Sequence, residues 1–538
     1  MRTWIVAVVV ILAAVNAAAE ETAFRVRPYL LHPAADAMTV RWLSERETPG
    51  LLLCDGRRIE SKPVAAEALD YHPGEPPAPR HPTTPFLHSI RIDGLQPATS
   101  YPYTVEQDGS EVRAILTTAP PAGAVGRGGG VRLFLYADSE TQPESRGNRV
   151  AWPPSTSLPG GPRPRWVADR YLADETTGYR MNLALMASRA AESLRNGNPV
   201  LACVVGDLVE TGGEQRDWDE FWRHNAGDFG TFASRVPLLV AAGNHDVFGG
   251  PPSADPTTDL GGFSPAATGR ALRKFETYFE FPANNAADPR HEGRYHRLDF
   301  GPLTMLTLDS NNTGTDMGAD DTNLALDRDD APQIPDCLPG SEQHAWLEKE
   351  LIAARDRGAI VFVQFHHAPF SSGMHGRAAG IDVDADTLSG QPLRALAPLF
   401  AQHGVRAVFC GHDEMYEHSF VDGVHYYDVG IGGDGLRGPH PGVGNPRQIF
   451  LAHDHAPERW QGDVLVSGGK HYGHVEVDVV ARDDGRLAVS ITPVHVFPLL
   501  DPTTPGVVTG WERRIYEDVV SFDVPAPATP ASRSPETR

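Results

Sequence analysis

Apolar and polar positions change rhythm along the chain. From about Phe24 to Thr118, short runs such as Met38-Thr39-Val40-Arg41-Trp42 and His88-Ser89-Ile90-Arg91-Ile92 alternate apolar and polar residues between turn-forming segments. A period of two predicts half-buried strands, and their regular spacing predicts a small all-β sandwich. Residues 119–130 (APPAGAVGRGGG) read as a Pro/Gly linker. Beyond it the apolar runs become continuous: Val131–Ala137, Val200–Val205, Pro237–Ala242, Ala359–Phe365 and Val405–Cys410. Such runs predict strands covered on both faces, as in layered α/β folds. Helical periodicity falls between them at Asn182–Leu194 and Glu342–Ala354, and further strands are predicted at Tyr295–Phe300, Leu303–Leu308 and His474–Val479.

The organisation expected is therefore a β-sandwich over residues 20–118, the linker at 119–130, an α/β domain over 131–500 and a C-terminal extension over 501–538. The Ala/Pro/Ser/Thr-rich end is read as disordered from about residue 525. Met1-Arg2-Thr3, an apolar stretch from Trp4 to Val15 and the small residues before Glu20 read as a signal peptide over residues 1–19. That run is short for a bilayer span, so no stable membrane anchor is expected and the protein is read as secreted or periplasmic.

Composition narrows the function. The 538 residues carry 47 Lys+Arg against 70 Asp+Glu, a formal charge of −23. Nucleic acid wants a basic face, so no nucleic-acid surface is expected, and an anionic substrate would need local positive charge, most simply a metal. The four cysteines, Cys54, Cys203, Cys337 and Cys410, lie far apart with no C-x-x-C spacing, which supports neither a zinc ribbon nor a disulfide scaffold.

Each continuous apolar run ends in metal-ligand chemistry: Asp138-Ser139-Glu140, Gly206-Asp207, Gly243-Asn244-His245-Asp246, His366-His367-Ala368-Pro369 and Gly411-His412-Asp413-Glu414. In open α/β sheets ligands bind beyond the carboxyl ends of the strands, so these five ends are predicted to converge. Carboxylate, imidazole and amide oxygen together suit two divalent ions, which about 3.5–4 Å apart can clamp an in-line phosphoryl displacement.

GD, GNHD, HxP and GH in this order, each after a strand, resemble the calcineurin-like metallophosphoesterases. Behind a β-sandwich whose Gly94–Tyr101 segment resembles the fibronectin type III tyrosine corner, they are most similar to purple acid phosphatases. The resemblance implies an α/β metallophosphoesterase domain of two mixed β-sheets flanked by helices, and a small phosphorylated substrate. It implies two divalent metal ions (Mn, Zn, Fe, Ca or Mg) and a metal-bridging hydroxide as nucleophile. Asp207 would bridge the metals; Asn244, His367 and His412 would complete the second site; Asp138 would belong to the first. His367 is taken over His366 because the family's ligand stands two residues before Pro, here Pro369. His245 would be the general acid with Asp246 placed to orient it, and His366, His375 and Arg377 are candidate substrate contacts. The activity implied is that of a phosphomonoesterase. A phosphodiesterase or nucleotidase on the same core, and a non-catalytic phosphate binder with a degraded first site, are the alternatives.

The family pattern breaks at three places. Glu210 stands where purple acid phosphatases carry the tyrosine that colours ferric iron. Glu414 replaces the second histidine of GHxH, and Glu140 stands where a wider-family histidine follows the first aspartate. All three fall on the first metal site. A shell of Asp138, Asp207, Glu414 and one of Glu140 or Glu210 would be all oxygen, which suits Mn²⁺, Mg²⁺ or Ca²⁺. The Asp-rich stretch Asp316–Asp330 lacks EF-hand spacing and reads as a solvated insertion.

Overall fold

The computed structural model describes residues 23–72, 75, 83–151, 163–167, 170–250, 261–311, 334–337, 339–376, 390–452 and 457–525. The expected signal peptide, the Asp-rich stretch, Arg377 and the tail beyond Pro525 lie outside these.

Five of the predicted strands appear almost where the apolar runs put them, at Gly130–Tyr136, Val200–Val205, Leu238–Ala241, Ile360–His367 and Ala407–Gly411. They divide between two mixed sheets. In the first, Val200–Val205 pairs in parallel with Gly130–Tyr136 on one side and Leu238–Ala241 on the other. In the second, Leu303–Thr307, Ile360–His367, Ala407–Gly411 and Val424–Val429 lie parallel in that order, with antiparallel strands outside them. Leu133, Leu135 and Val205 of one sheet meet Phe362 and Phe409 of the other in a single buried core. Such faces, buried on both sides, are why the runs are continuous rather than alternating.

Helices cover the outer faces. Glu175–Arg195 packs Leu183, Met186 and Ala190 on the first sheet, and Glu342–Asp356 packs Leu347, Leu351 and Ala354 on the second. The first helix begins earlier than its periodicity predicts because Asp174 caps it, accepting from the Thr177 N–H at 2.8 Å. Asp174 carries no hydrophobic signal.

The N-terminal residues form two antiparallel layers around Met38, Val40, Trp42, Leu52, Ile92, Tyr103 and Val105. The Tyr101 hydroxyl accepts from the Gln96 N–H at 2.8 Å, pinning the chain back on itself. One layer is not separate, however. Phe24–Leu31 pairs in parallel with Leu238–Ala241 through Leu31 and Leu238, so it continues the first sheet, which reaches eleven strands. The Tyr103 hydroxyl donates to the Ser234 carbonyl at 2.8 Å, a further tie between the two parts. At the other end, Val508–Ile515 and Val520–Pro525 both pair with Arg486–Leu500. The segment expected as an extension thus contributes two strands to the sheet. The four cysteines are buried and unbridged.

Trp42 is fully buried, stacks on His88 at 4.8 Å and donates its indole N–H to Gln107 Oε1 at 3.0 Å. Trp42→Ala leaves both a cavity and an unsatisfied acceptor, and is expected to cost about 3–5 kcal/mol of stability in urea unfolding.

Candidate metal centre

The strand ends meet at one edge of the two sheets, where the backbone turns sharply. Asp138, Glu140, Asp207, His412 and Glu414 all have positive φ, between 33° and 80°, a conformation unusual for residues with side chains. Gly206, at φ +91°, precedes Asp207, and a Cβ there would come within 2.5 Å of His366 Nδ1. The loops are zipped together by their own backbones: Ser139 and Glu140 donate to the Asp207 carbonyl at 2.9 and 3.0 Å, and Gly433 and Asp434 donate to the Asp138 carbonyl at 3.0 Å.

Asp207 is buried at the centre. Its Oδ1 accepts from the His245 backbone N–H at 2.8 Å, and its Oδ2 lies 2.8 Å from His366 Nε2. His366 Nδ1 lies 3.0 Å from the Val205 carbonyl, which only accepts, so Nδ1 carries the proton and Nε2 faces Asp207 with its lone pair. Two electron-rich atoms this close need a positive charge on or between them. Without metal a proton serves: burial opposes it, but Asp207 outweighs burial and lifts the His366 pKa to about 9. A divalent cation would serve the same purpose.

Three further observations fit a cation. Asn244 Oδ1 is buried and accepts no hydrogen bond from the described residues. Asp207, His366 and His412 bring one ligand atom each within 4.8 Å of one another, as do Asp138, Glu140 and Asp207. Finally, the carboxylates resist ionisation: burial, reinforced by their mutual charge, holds Asp138, Glu140 and Asp434 well above the usual range and pushes Glu414 up to about 7. A bound divalent ion removes that penalty.

Both adjacent histidines pack against the His412 ring. His366, expected at substrate, is in the cluster with Asp207 and His412, whereas His367 Nδ1 lies 2.8 Å from Ser310 Oγ and its ring packs 4.6 Å from that of His412. The strand runs on through His367, so its last residues alternate faces. Glu140 joins Asp138 and Asp207, while Glu210 groups with Glu140 and His245.

Asp246 also acts differently from the expectation. Its oxygens accept from the Leu208 and Gly243 N–H groups at 3.0 and 2.8 Å, stapling two ligand loops together. The His245 ring is oriented instead by the Glu210 carbonyl, 2.8 Å from Nδ1, which leaves Nε2 facing the cavity, 3.9 Å from Glu140 Oε1. Asp246→Asn turns an amide NH₂ toward one of those backbone donors. It is expected to lose about 1–3 kcal/mol in urea unfolding, with reduced metal affinity measured by calorimetry.

Two residues escaped the sequence reading. Asp434 groups with Glu140 and Glu414. It lies in residues 430–435, after the strand Val424–Val429, whose His425 and Asp428 keep it from reading as a continuous apolar run. Arg437, whose Nη2 lies 2.6 Å from Glu414 Oε1, follows no strand and had no signal. The His375 ring lies against that of His412, with centres 3.8 Å apart and planes tilted by 38°. A cavity of about 280 Å³ opens over the cluster, lined by Asp207, Asn244, His245, His375, His412 and Arg437 among others.

Residues 179–415 match the family model described as calcineurin-like phosphoesterase. This chain carries a calcineurin-like phosphoesterase domain. The domain's relatives include uncharacterized proteins of two Mycobacterium tuberculosis strains, 23% identical over 341 residues, covering 62% of this chain and 50% of theirs. The match thus spans half the length of those relatives. A protein of Arabidopsis thaliana named as a probable inactive purple acid phosphatase is 22% identical over 236 residues, 43% of this chain and 31% of its own. Among solved structures, a purple acid phosphatase from yellow lupin (Lupinus luteus) seeds superposes with a TM-score of 0.54 at 16% identity, covering 93% of this chain and 74% of that one. PhoD superposes with a TM-score of 0.53 at 12% identity, covering 94% and 90%. At such identity these two similarities describe the phosphoesterase fold. Among the described residues, no helix is long and apolar enough to cross a membrane.

Proposed function

We propose that the protein is an exported phosphomonoesterase working with two divalent cations held by Asp138, Glu140, Asp207, Asn244, His366, His412 and Glu414. The observation that carries this reading is Asp207, a buried carboxylate meeting His366 Nε2 at 2.8 Å with acidic and amide oxygens gathered round it. Imidazole and amide on one side suit a borderline ion, and carboxylates on the other suit a hard one. Bound there, such cations would supply Lewis acidity to the phosphoryl oxygens and lower the pKa of water.

The chain's own side chains then handle orientation and the proton. A water oxygen bonds to phosphorus as the bond from phosphorus to the leaving oxygen breaks. His245 Nε2–H supplies the proton to that oxygen. One hydrogen of water ends on the alcohol, by way of His245, and the other stays on phosphate. For Nε2 to donate while Nδ1 donates to the Glu210 carbonyl, His245 must be an imidazolium. Burial opposes that charge, but Asp207 and Glu210 raise the pKa. Arg437 and His375 line the cavity where unreacted phosphoryl oxygens would lie. Its volume, about 280 Å³, is at the lower edge of the range for small-molecule sites, roughly 300–1,000 Å³, which favours a small monoester.

Metal-stripped protein reloaded in turn with Mn²⁺, Zn²⁺, Ca²⁺ and Mg²⁺ and assayed on aryl phosphate mono- and diesters tests the reading. Faster monoester hydrolysis is expected. Preference for diesters would point to a phosphodiesterase, and no turnover with any metal to a phosphate binder.

A further inference from the structure

The polar cavity has an apolar wall. Phe248 and Phe263 line it and are only half-buried; apart from Met374, the rest of the lining is polar or charged. Their placement is built into the backbone. The Gly249 N–H donates to the Gly262 carbonyl at 2.9 Å and the Gly262 N–H to the Gly250 carbonyl at 2.6 Å, closing the stem that carries both rings. Arg270 Nε donates to the Gly213 carbonyl at 3.2 Å and the Gly213 N–H donates to the Phe248 carbonyl at 2.9 Å, which ties the stem to the loop after Asp207. The two rings stand 5.1 Å apart, tilted by 53°.

The wall also stands on a particular side of the reaction. The Phe248 ring centre is 6.4 Å from that of His245. The residue that gives a proton to the leaving oxygen marks where the leaving group departs, so the first surface that group meets is Phe248, with Phe263 behind it. Arg437 is instead drawn to Glu414, at 2.6 Å. Half-exposed aromatic surface beside a charged centre gains most when an apolar ring covers it.

We propose that the substrates are phosphate monoesters whose leaving alcohol carries an apolar ring close to the ester oxygen, recognised by Phe248 and Phe263. The inference rests on the phosphomonoesterase reading above.

Benzyl phosphate and ethyl phosphate test it, because both release a primary alcohol of similar acidity and leaving-group basicity therefore does not decide the comparison. The metal-loaded protein is expected to prefer benzyl phosphate by about tenfold or more in kcat/KM, the scale on which apolar pockets discriminate. Phe248→Leu and Phe263→Leu preserve most of the packing volume, and each is expected to shrink the ratio; Phe248→Ala should shrink it further. Equal use of the two esters by the wild type would overturn the proposal, and so would a strong preference for benzyl that survives in all three variants. Calorimetry with benzylphosphonate and ethylphosphonate separates the two levels of the argument. If neither ester is hydrolysed with any metal, the phosphomonoesterase reading fails. The wall is then judged on binding alone, with tighter benzylphosphonate binding lost in the variants supporting it and equal binding overturning it.

Discussion

Asp207→Ala is expected to lower kcat by about 10³-fold or more, because its carboxylate is common to both ligand groups and several kcal/mol of cation stabilisation would go with it. One oxygen faces His366 Nε2 and the other holds the His245 N–H. Removing it therefore separates the imidazole cluster from the acidic one. The substitution costs the favourable pairing of Asp207 with His366, but it removes a repulsive neighbour of Asp138 and Glu140 and lets His366 become a neutral imidazole, which burial tolerates. Metal-free Asp207→Ala is therefore expected to fold, and thermal unfolding of the apo protein checks this. Activity loss with retained folding and reduced metal content is the combined result. A variant that binds its metals and turns over at wild-type rates would remove Asp207 from its central place.

His245→Ala is expected to cost about 10²–10⁴-fold, the usual contribution of a positioned general acid. Alanine keeps the backbone N–H that holds Asp207 Oδ1, so the cation ligands should stay in place and metal content should be preserved. The loss should also depend on the leaving group. An alkyl ester needs a proton on its departing oxygen, whereas a nitrophenyl ester releases a stable phenolate without one. The variant is therefore expected to be impaired much more on alkyl than on nitrophenyl phosphate. Equal loss on both would argue that His245 binds the ester rather than protonating it.

Much of this site was legible because two sequence periods coincide with two structural demands. Continuous apolar runs locate strands buried on both faces, and a strand that ends abruptly in Asp, Asn or His places that side chain at a sheet edge. Asp138, Asp207, Asn244 and His412 were found this way. Where the reading slipped, finer geometry was responsible. His366, read only as a substrate contact, groups with Asp207 and His412, because adjacent residues on the strand Ile360–His367 face opposite ways. Asp246 was assigned to the His245 ring by adjacency, yet neighbouring residues on a tight turn point apart, and its oxygens reach Leu208 and Gly243 instead. Arg437 reaches Glu414 from a loop with no periodicity. The N-terminal layer reads as a separate sandwich because alternation reports which side is buried, not which strand lies alongside. Only the pairing of Leu31 with Leu238 reveals that it continues the first sheet.

The glutamates at 140, 210 and 414 bear on the charge problem posed by the chain's −23. They would place negative charge at the proposed cations themselves, with Arg437 offsetting Glu414. Such a site should hold hard divalent ions tightly, leaving Arg437 and a protonated His245 to attract a phosphate ester.

Elemental analysis of the purified protein, before and after chelation, with phosphomonoester hydrolysis followed on the same samples, tests the central claim most directly. Two divalent ions per chain are expected, with turnover lost as they are removed and recovered as they are returned. Full turnover by protein stripped of its metals would contradict the account.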